Sequence, residues 1–128
     1  MNVWLWPRVY VAHGYGRRHG LTDKALQKNV DDCIVNFVRP LIERKFNPYV
    51  PLLHHYIHLN WDESPDEGTY FGLVASWIGD CDLFLVGMRP KWKGSGVERE
   101  IGIAKDSEIP VFYSLEEIDA VYRTAGKS

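Results

Sequence analysis

Leu83-Phe84-Leu85-Val86 is a run of four consecutive apolar residues with no polar alternation. A strand with one face in water alternates polar and apolar residues, whereas a continuous run has to be covered on both faces. Asp80-Cys81-Asp82 precedes the run and a Gly/Pro/Lys/Trp loop from Gly87 to Gly96 follows it, so it is bounded like a short central strand. Val9-Tyr10-Val11-Ala12, ending at His13-Gly14, repeats the pattern near the start of the chain. Ile109-Pro110-Val111-Phe112-Tyr113 reads as another strand. Tyr49 to Leu53 reads as a short one, weakened by Pro51.

Helical patterns separate these runs. Thr22-Asp23 opens the first, with Thr22 as N-cap. Leu26, Val30, Cys33, Phe37 and Leu41 recur at steps of three and four and predict one buried face. Pro40 should kink or split this helix, and Asn47-Pro48 should end it. Ser64-Pro65-Asp66-Glu67 starts a second helix by capping logic, with Phe71, Val74, Ala75 and Ile78 on one face. Val97 to Lys105 reads as a third helix. Ser114-Leu115-Glu116-Glu117 is a capping box for a terminal helix to about Arg123.

Strands alternating with helices predict a flavodoxin- or Rossmann-like α/β three-layer sandwich with a four- or five-stranded parallel sheet. Ligands of such sheets sit beyond the carboxyl ends of the strands, where the strand order reverses. Two loops are thereby marked, His13 to Gly20 and Gly87 to Gly96. The 128 residues suit one domain, with Thr124 to Ser128 as a loose tail.

A formal charge of −2 argues against polymeric nucleic acid or an anionic membrane as partner, while permitting a local basic pocket. No window reaches the length of a membrane span, and Met1 to Pro7 is too short for a signal peptide. Cys33 and Cys81 form no Cys-x-x-Cys pair and read as reduced, buried thiols. These features predict a cytoplasmic protein.

The sharpest local element is Trp92-Lys93-Gly94-Ser95-Gly96-Val97-Glu98-Arg99-Glu100. Its glycines would let backbone N–H groups approach a ligand at a helix start. Glu100 falls one turn in, where a carboxylate can point back at that ligand. The same spacing also fits surface glutamates favoured by the helix dipole. His54, His55 and His58 with Asp62 read as a loop over a pocket rather than a metal site. Gly14-x-Gly16-x-x-x-Gly20 is not a dinucleotide fingerprint, and no phosphate-binding Walker loop is present.

Three pieces in order carry a resemblance: strand Val9 to Ala12 with its glycine loop; strand Cys81 to Val86; and Ser95-Gly96-Val97-x-x-Glu100-Ile101-Gly102-x-Ala104 followed by Ile109-Pro110-Val111. Together they resemble the nucleoside 2-deoxyribosyltransferase superfamily, which includes nucleoside 5′-monophosphate N-glycosidases. The resemblance runs from about Val9 to Tyr113. It implies a glutamate nucleophile at the anomeric carbon, here Glu100, oriented by a strand tyrosine, here Tyr10. Asp82 matches the aspartate that opens the third strand, as a catalytic, strand-start or subunit-contact residue. His13, Gly14, Tyr15 and Gly16 would line the base or phosphate site, with Tyr15 able to stack on a base. Arg17 or Arg18 would meet a phosphate, or both would lie in a solvated loop. Trp92, Gly94, Ser95 and Gly96 would hold substrate from the second loop.

The resemblance implies no cofactor, a small-molecule nucleoside or nucleotide as ligand, and a homodimer or larger assembly. Two positions depart from the family pattern: Val74 stands where the enzymes carry a second acid, and Gly94 where they place Asp or Ser. The expected function is cleavage or transfer at the N-glycosidic bond of a (deoxy)nucleoside or its 5′-monophosphate. The alternative is a non-catalytic nucleotide-binding or sensing module of the same fold.

Overall fold

Strand β1 (Arg8–His13) lies inside a four-stranded parallel sheet, between β2 (Asn47–Tyr49) and β3 (Leu83–Met88), with β4 (Val111–Phe112) beyond β3. The structure is a computed structural model describing residues 2, 5–15, 21–54, 56, 60, 67–89 and 96–123, with the backbone alone at 67, 68, 70, 74 and 123. The strand order 2-1-3-4 with interleaved helices is flavodoxin-like, as the alternation of apolar runs and helical periods predicts.

The two continuous apolar runs occupy the two central positions because only there are both faces covered. Val9, Val11, Leu83 and Leu85 pack on one side against Leu26, Val30 and Cys33 of α1 (Asp23–Cys33), Leu41 of α2 (Arg39–Glu43) and Ile118 of α5 (Leu115–Ile118). Tyr10, Ala12, Phe84 and Val86 pack on the other against Ile78 of α3 (Glu67–Ile78) and Val97, Ile101 and Ala104 of α4 (Gly96–Asp106). Each fully buried Leu, Val or Phe contributes about 1.5–3 kcal/mol relative to exposure, so this alternation along β1 and β3 fixes their register.

That register runs Val9↔Leu83 through Ala12↔Val86 and then shifts, so that His13 pairs with Met88. The irregularity falls at the carboxyl ends of β1 and β3, where the chain has crossed from one side of β1 to the other. The Gly14 N–H bonds the Met88 carbonyl at 3.0 Å and holds the two strand exits together. At Gly87 a Cβ would lie 3.1 Å from the Phe37 ring and 3.3 Å from the Ala12 carbonyl oxygen, so a side chain at this end would crowd both.

The second strand departs from the sequence expectation. It spans Asn47–Tyr49 rather than residues 49–53, and Pro51–His54 forms a turn of 3₁₀-helix. Pro48 is tolerated because β2 is an edge strand, where a missing N–H leaves no ladder bond unmade. The first helix also ends earlier than Asn47. It is split by a π-helical turn, Ile34–Val38, in which the Arg39 N–H reaches back to the Ile34 carbonyl. Pro40, in the first turn of α2, has no N–H to give and would clash with the preceding turn of an unbroken helix. The wider turn moves Phe37 off the buried stripe to half-buried, against Gly87 and the His13 ring.

Caps follow the sequence reading more closely. Thr22 accepts the Ala25 N–H at 3.2 Å. Ser114 accepts the Glu117 N–H at 3.1 Å, while the Glu117 carboxylate takes the Tyr113 N–H at 2.7 Å, one residue before the cap. The terminal helix is α only through Ile118, and Asp119–Arg123 continues it as a π-helical turn. Ser64, Pro65 and Asp66 lie outside the described residues. No helix among the described residues is long and apolar enough to cross a membrane.

Candidate functional site

Glu100 and Tyr10 come from opposite ends of the chain to one place on the α3–α4 side of the sheet. Tyr10 points to that side because it sits in the even positions of β1 with Ala12. Its ring stacks on Phe84 across the β1–β3 pair (centroids 5.1 Å, 10° between planes) and tilts against Tyr49 across the β1–β2 pair (5.6 Å, 41°). Tyr49 in turn stacks on Trp77 of α3 at 5.2 Å. Three aromatic side chains in register thus form the floor beneath the first turn of α4.

Glu100 lies one turn into α4, and its Oε1 is 3.8 Å from where a Cβ on Gly96 would be. The side chain therefore bends back toward the helix start, the direction helical side chains favour. The residue is half-buried, but protein surrounds its carboxyl, and burial pushes its pKa up to about 8. The Tyr10 hydroxyl and the Arg99 charge act the other way, since both favour the ionised carboxylate. Burial foremost, and the Glu100 charge after it, raise Tyr10 far above the ordinary phenol range. The Tyr10 hydroxyl is enclosed and has no hydrogen bond of normal geometry among the described residues, so its contact with Glu100 is loose. Burial, with a smaller contribution from Glu100, also raises Tyr49.

The flanking groups of α4 point elsewhere. Glu98 is gripped by both Arg89 guanidinium arms, one at 2.9 Å, and Arg89 also lies over the Tyr113 ring. Arg99 lies over the Phe71 ring at 3.7 Å and makes no ion pair with Glu100. Glu100 is thus set apart from its acidic neighbour, and no second carboxylate among the described residues acts on it.

Asp82 is placed at the amino end of β3, where its carboxylate accepts the Arg8 N–H at 2.7 Å. Its charge acts on Cys81 and on Tyr122, the latter packed on the opposite side of the sheet. The structure brings Asp82 to Arg8 rather than to Glu100.

The loop after β1 leaves the sheet at its carboxyl end. The His13 Nδ1 lies 2.9 Å from the Gly14 carbonyl, so that nitrogen carries the proton and donates. Its ring is half-buried and edge-on to Phe37, and burial lowers its pKa despite the opposing Gly14 carbonyl and Asp32. Gly14 is buried, and Tyr15 packs partly buried against the α1 side of the core. Sequence reasoning missed Asn29 of α1, whose side-chain amide donates to the Tyr15 carbonyl at 2.7 Å. The signal available was a short polar side chain on a helix that directly follows a glycine loop.

Gly16, Arg17, Arg18, Trp92, Gly94 and Ser95 lie outside the described residues, as do the side chain of Val74 and His55, His58 and Asp62 of the histidine cluster. His54 is described, and burial lowers its pKa. No group of three or more metal-ligating side chains occurs among the described residues. Cys33 and Cys81 are buried free thiols, raised by burial to about 12 and about 11.

A scan of the chain against models of protein families matches none. No curated protein matches it in sequence.

Proposed function

We propose that this protein cleaves or transfers the N-glycosidic bond of a (deoxy)nucleoside or nucleoside 5′-monophosphate, with Glu100 as nucleophile. The observation that carries the reading is an enclosed carboxyl bent toward Gly96, with a buried, loosely bonded tyrosine hydroxyl facing it. In its ionised form, which the Tyr10 hydroxyl and the Arg99 charge favour against burial, this carboxylate would attack the anomeric carbon as the bond from that carbon to the base nitrogen breaks. The electron pair leaves with the base, which takes up a proton from solvent water. The resulting glycosyl ester is released by water, giving the free sugar or its 5-phosphate, or by a second base, giving a new nucleoside or nucleotide. Tyr10 would hold the carboxylate oxygen that does not attack.

The resemblance to the nucleoside 2-deoxyribosyltransferase superfamily supports this assignment of roles to Glu100 and Tyr10. It also favours assembly into a homodimer or larger homo-oligomer. In keeping with that, Leu73 and Trp77 of α3 lie one turn apart and are 54% and 51% exposed.

A second reading is a nucleotide-binding or sensing module without turnover. It is favoured by the lack of a second carboxylate acting on Glu100 among the described residues. One experiment separates the two. The pure protein is incubated with nucleosides and 5′-monophosphates, with and without a free acceptor base, beside a Glu100→Ala control. Base release or exchange that the control abolishes supports glycosyl chemistry. Ligand binding without turnover supports the sensing module.

A further inference from the structure

The first two residues beyond β1, Gly14 and Tyr15, are tied down by different parts of the fold. The Gly14 N–H bonds the Met88 carbonyl of β3 at 3.0 Å, and the Gly14 carbonyl takes the His13 ring nitrogen at 2.9 Å. The Tyr15 carbonyl takes the Asn29 side-chain amide at 2.7 Å, a bond spanning fourteen residues of sequence. Asn29 is half-buried between Leu26 and Val30, which anchor α1 in the core, so its amide is carried on a rigid element. Gly14 and Tyr15 are thus held by β3 on one side and α1 on the other.

We propose that Asn29 is a positioning residue, fixing the exit path of the loop after β1 and through it the affinity for substrate. This deepens the glycosidic reading and rests on it, because that reading places the loop against the base or phosphate. Asn29 touches the loop backbone and not the reacting atoms, so it acts on binding and leaves the chemical step alone. Only a donor serves at this position. Leucine removes the bond, and an ionised aspartate sets an acceptor against the Tyr15 carbonyl.

The test uses the full chain with Asn29→Leu and Asn29→Asp, two variants so that a folding failure in one still leaves the other. Amide hydrogen exchange of the peptide containing residues 13–15 should quicken about fivefold to tenfold, the change produced by losing one ordinary hydrogen bond. Exchange in β3 should not change. With the best substrate of the nucleotide panel, KM should rise by about the same factor while kcat stays within about threefold. Unchanged exchange at residues 13–15 overturns the proposal, as does a fall in kcat with KM unaltered. If the wild-type chain turns over nothing in the panel, the glycosidic reading fails, and the exchange measurement alone decides the anchoring role.

Discussion

The Glu100 carboxyl and the Tyr10 phenol face each other across the β1–α4 contact, and each biases the other's proton. The phenol draws the carboxyl pKa down, while the carboxylate pushes the phenol's up. Burial outweighs the phenol's effect and leaves Glu100 near 8. Tyr10→Phe removes the one described hydroxyl that stabilises the carboxylate, so the Glu100 pKa should rise further. The substituted chain should stay within about 1 kcal/mol of wild type, because the lost hydroxyl is buried without a well-formed bond. Side-chain ¹³C titration of labelled glutamate checks the shift, and an unmoved or lowered midpoint would count against the pairing.

Stability should fall as pH rises through the range of this carboxyl. A carboxyl raised from its ordinary value of about 4.5 to about 8 keeps its proton in the folded chain where the unfolded chain has already lost it. The folded state then binds more protons than the unfolded state between those values, and stability drops with pH across that window. Glu100→Gln abolishes the titration. It should stabilise the protein by roughly 1–3 kcal/mol at pH 8.5 and by much less at pH 5. Thermal unfolding of both proteins at the two pH values tests this, and equal differences at both would contradict it.

Gly87→Ala should be destabilising. The added methyl would meet the Phe37 ring at 3.1 Å and the Ala12 carbonyl oxygen at 3.3 Å. Phe37 can shift, but the carbonyl belongs to a central strand and cannot. A loss of about 1–3 kcal/mol is expected, the range for overpacking, as a drop in the denaturation midpoint. Phe37→Leu should recover part of it.

Lys45 and Glu108 adopt the left-handed conformation, with φ of 66° and 60°. Each closes a helix. After α2 the Phe46 N–H returns to the Leu41 carbonyl at 3.0 Å, and after α4 the Ile109 N–H returns to the Ala104 carbonyl at 2.9 Å. This is the closure in which glycine is usual, because a side chain there costs energy. Lys45→Gly and Glu108→Gly should therefore each stabilise by about 0.5–1 kcal/mol, additively, since they sit after different helices. Denaturant melts of the two single variants and the double variant check both claims.

The residues that read clearly from sequence are those whose environment is local or is repeated along the chain. Leu83 to Val86 and Val9 to Ala12 declare central strands by lacking polar alternation, and Thr22 and Ser114 declare caps by their hydroxyls. The second strand did not read correctly because Pro48 is allowed only by an edge position, which depends on the sheet order. The π-helical turn before Pro40 was legible as a break but not in kind, since its extra residue serves the Phe37 contact with Gly87. Glu100 and Tyr10, ninety residues apart, are paired by the fold, and only the resemblance named them together. Asn29 gave no periodic signal at all, because its partner is a backbone carbonyl.

The most direct test of the central claim is to look for the glycosyl ester on Glu100. The protein would be incubated with a nucleoside carrying fluorine at the 2′ position, which slows release of the ester, then digested and mapped by mass spectrometry. The account predicts a sugar adduct on the peptide containing Glu100, absent in Glu100→Gln. Base release that persists in Glu100→Gln, or an adduct on another residue, would contradict it.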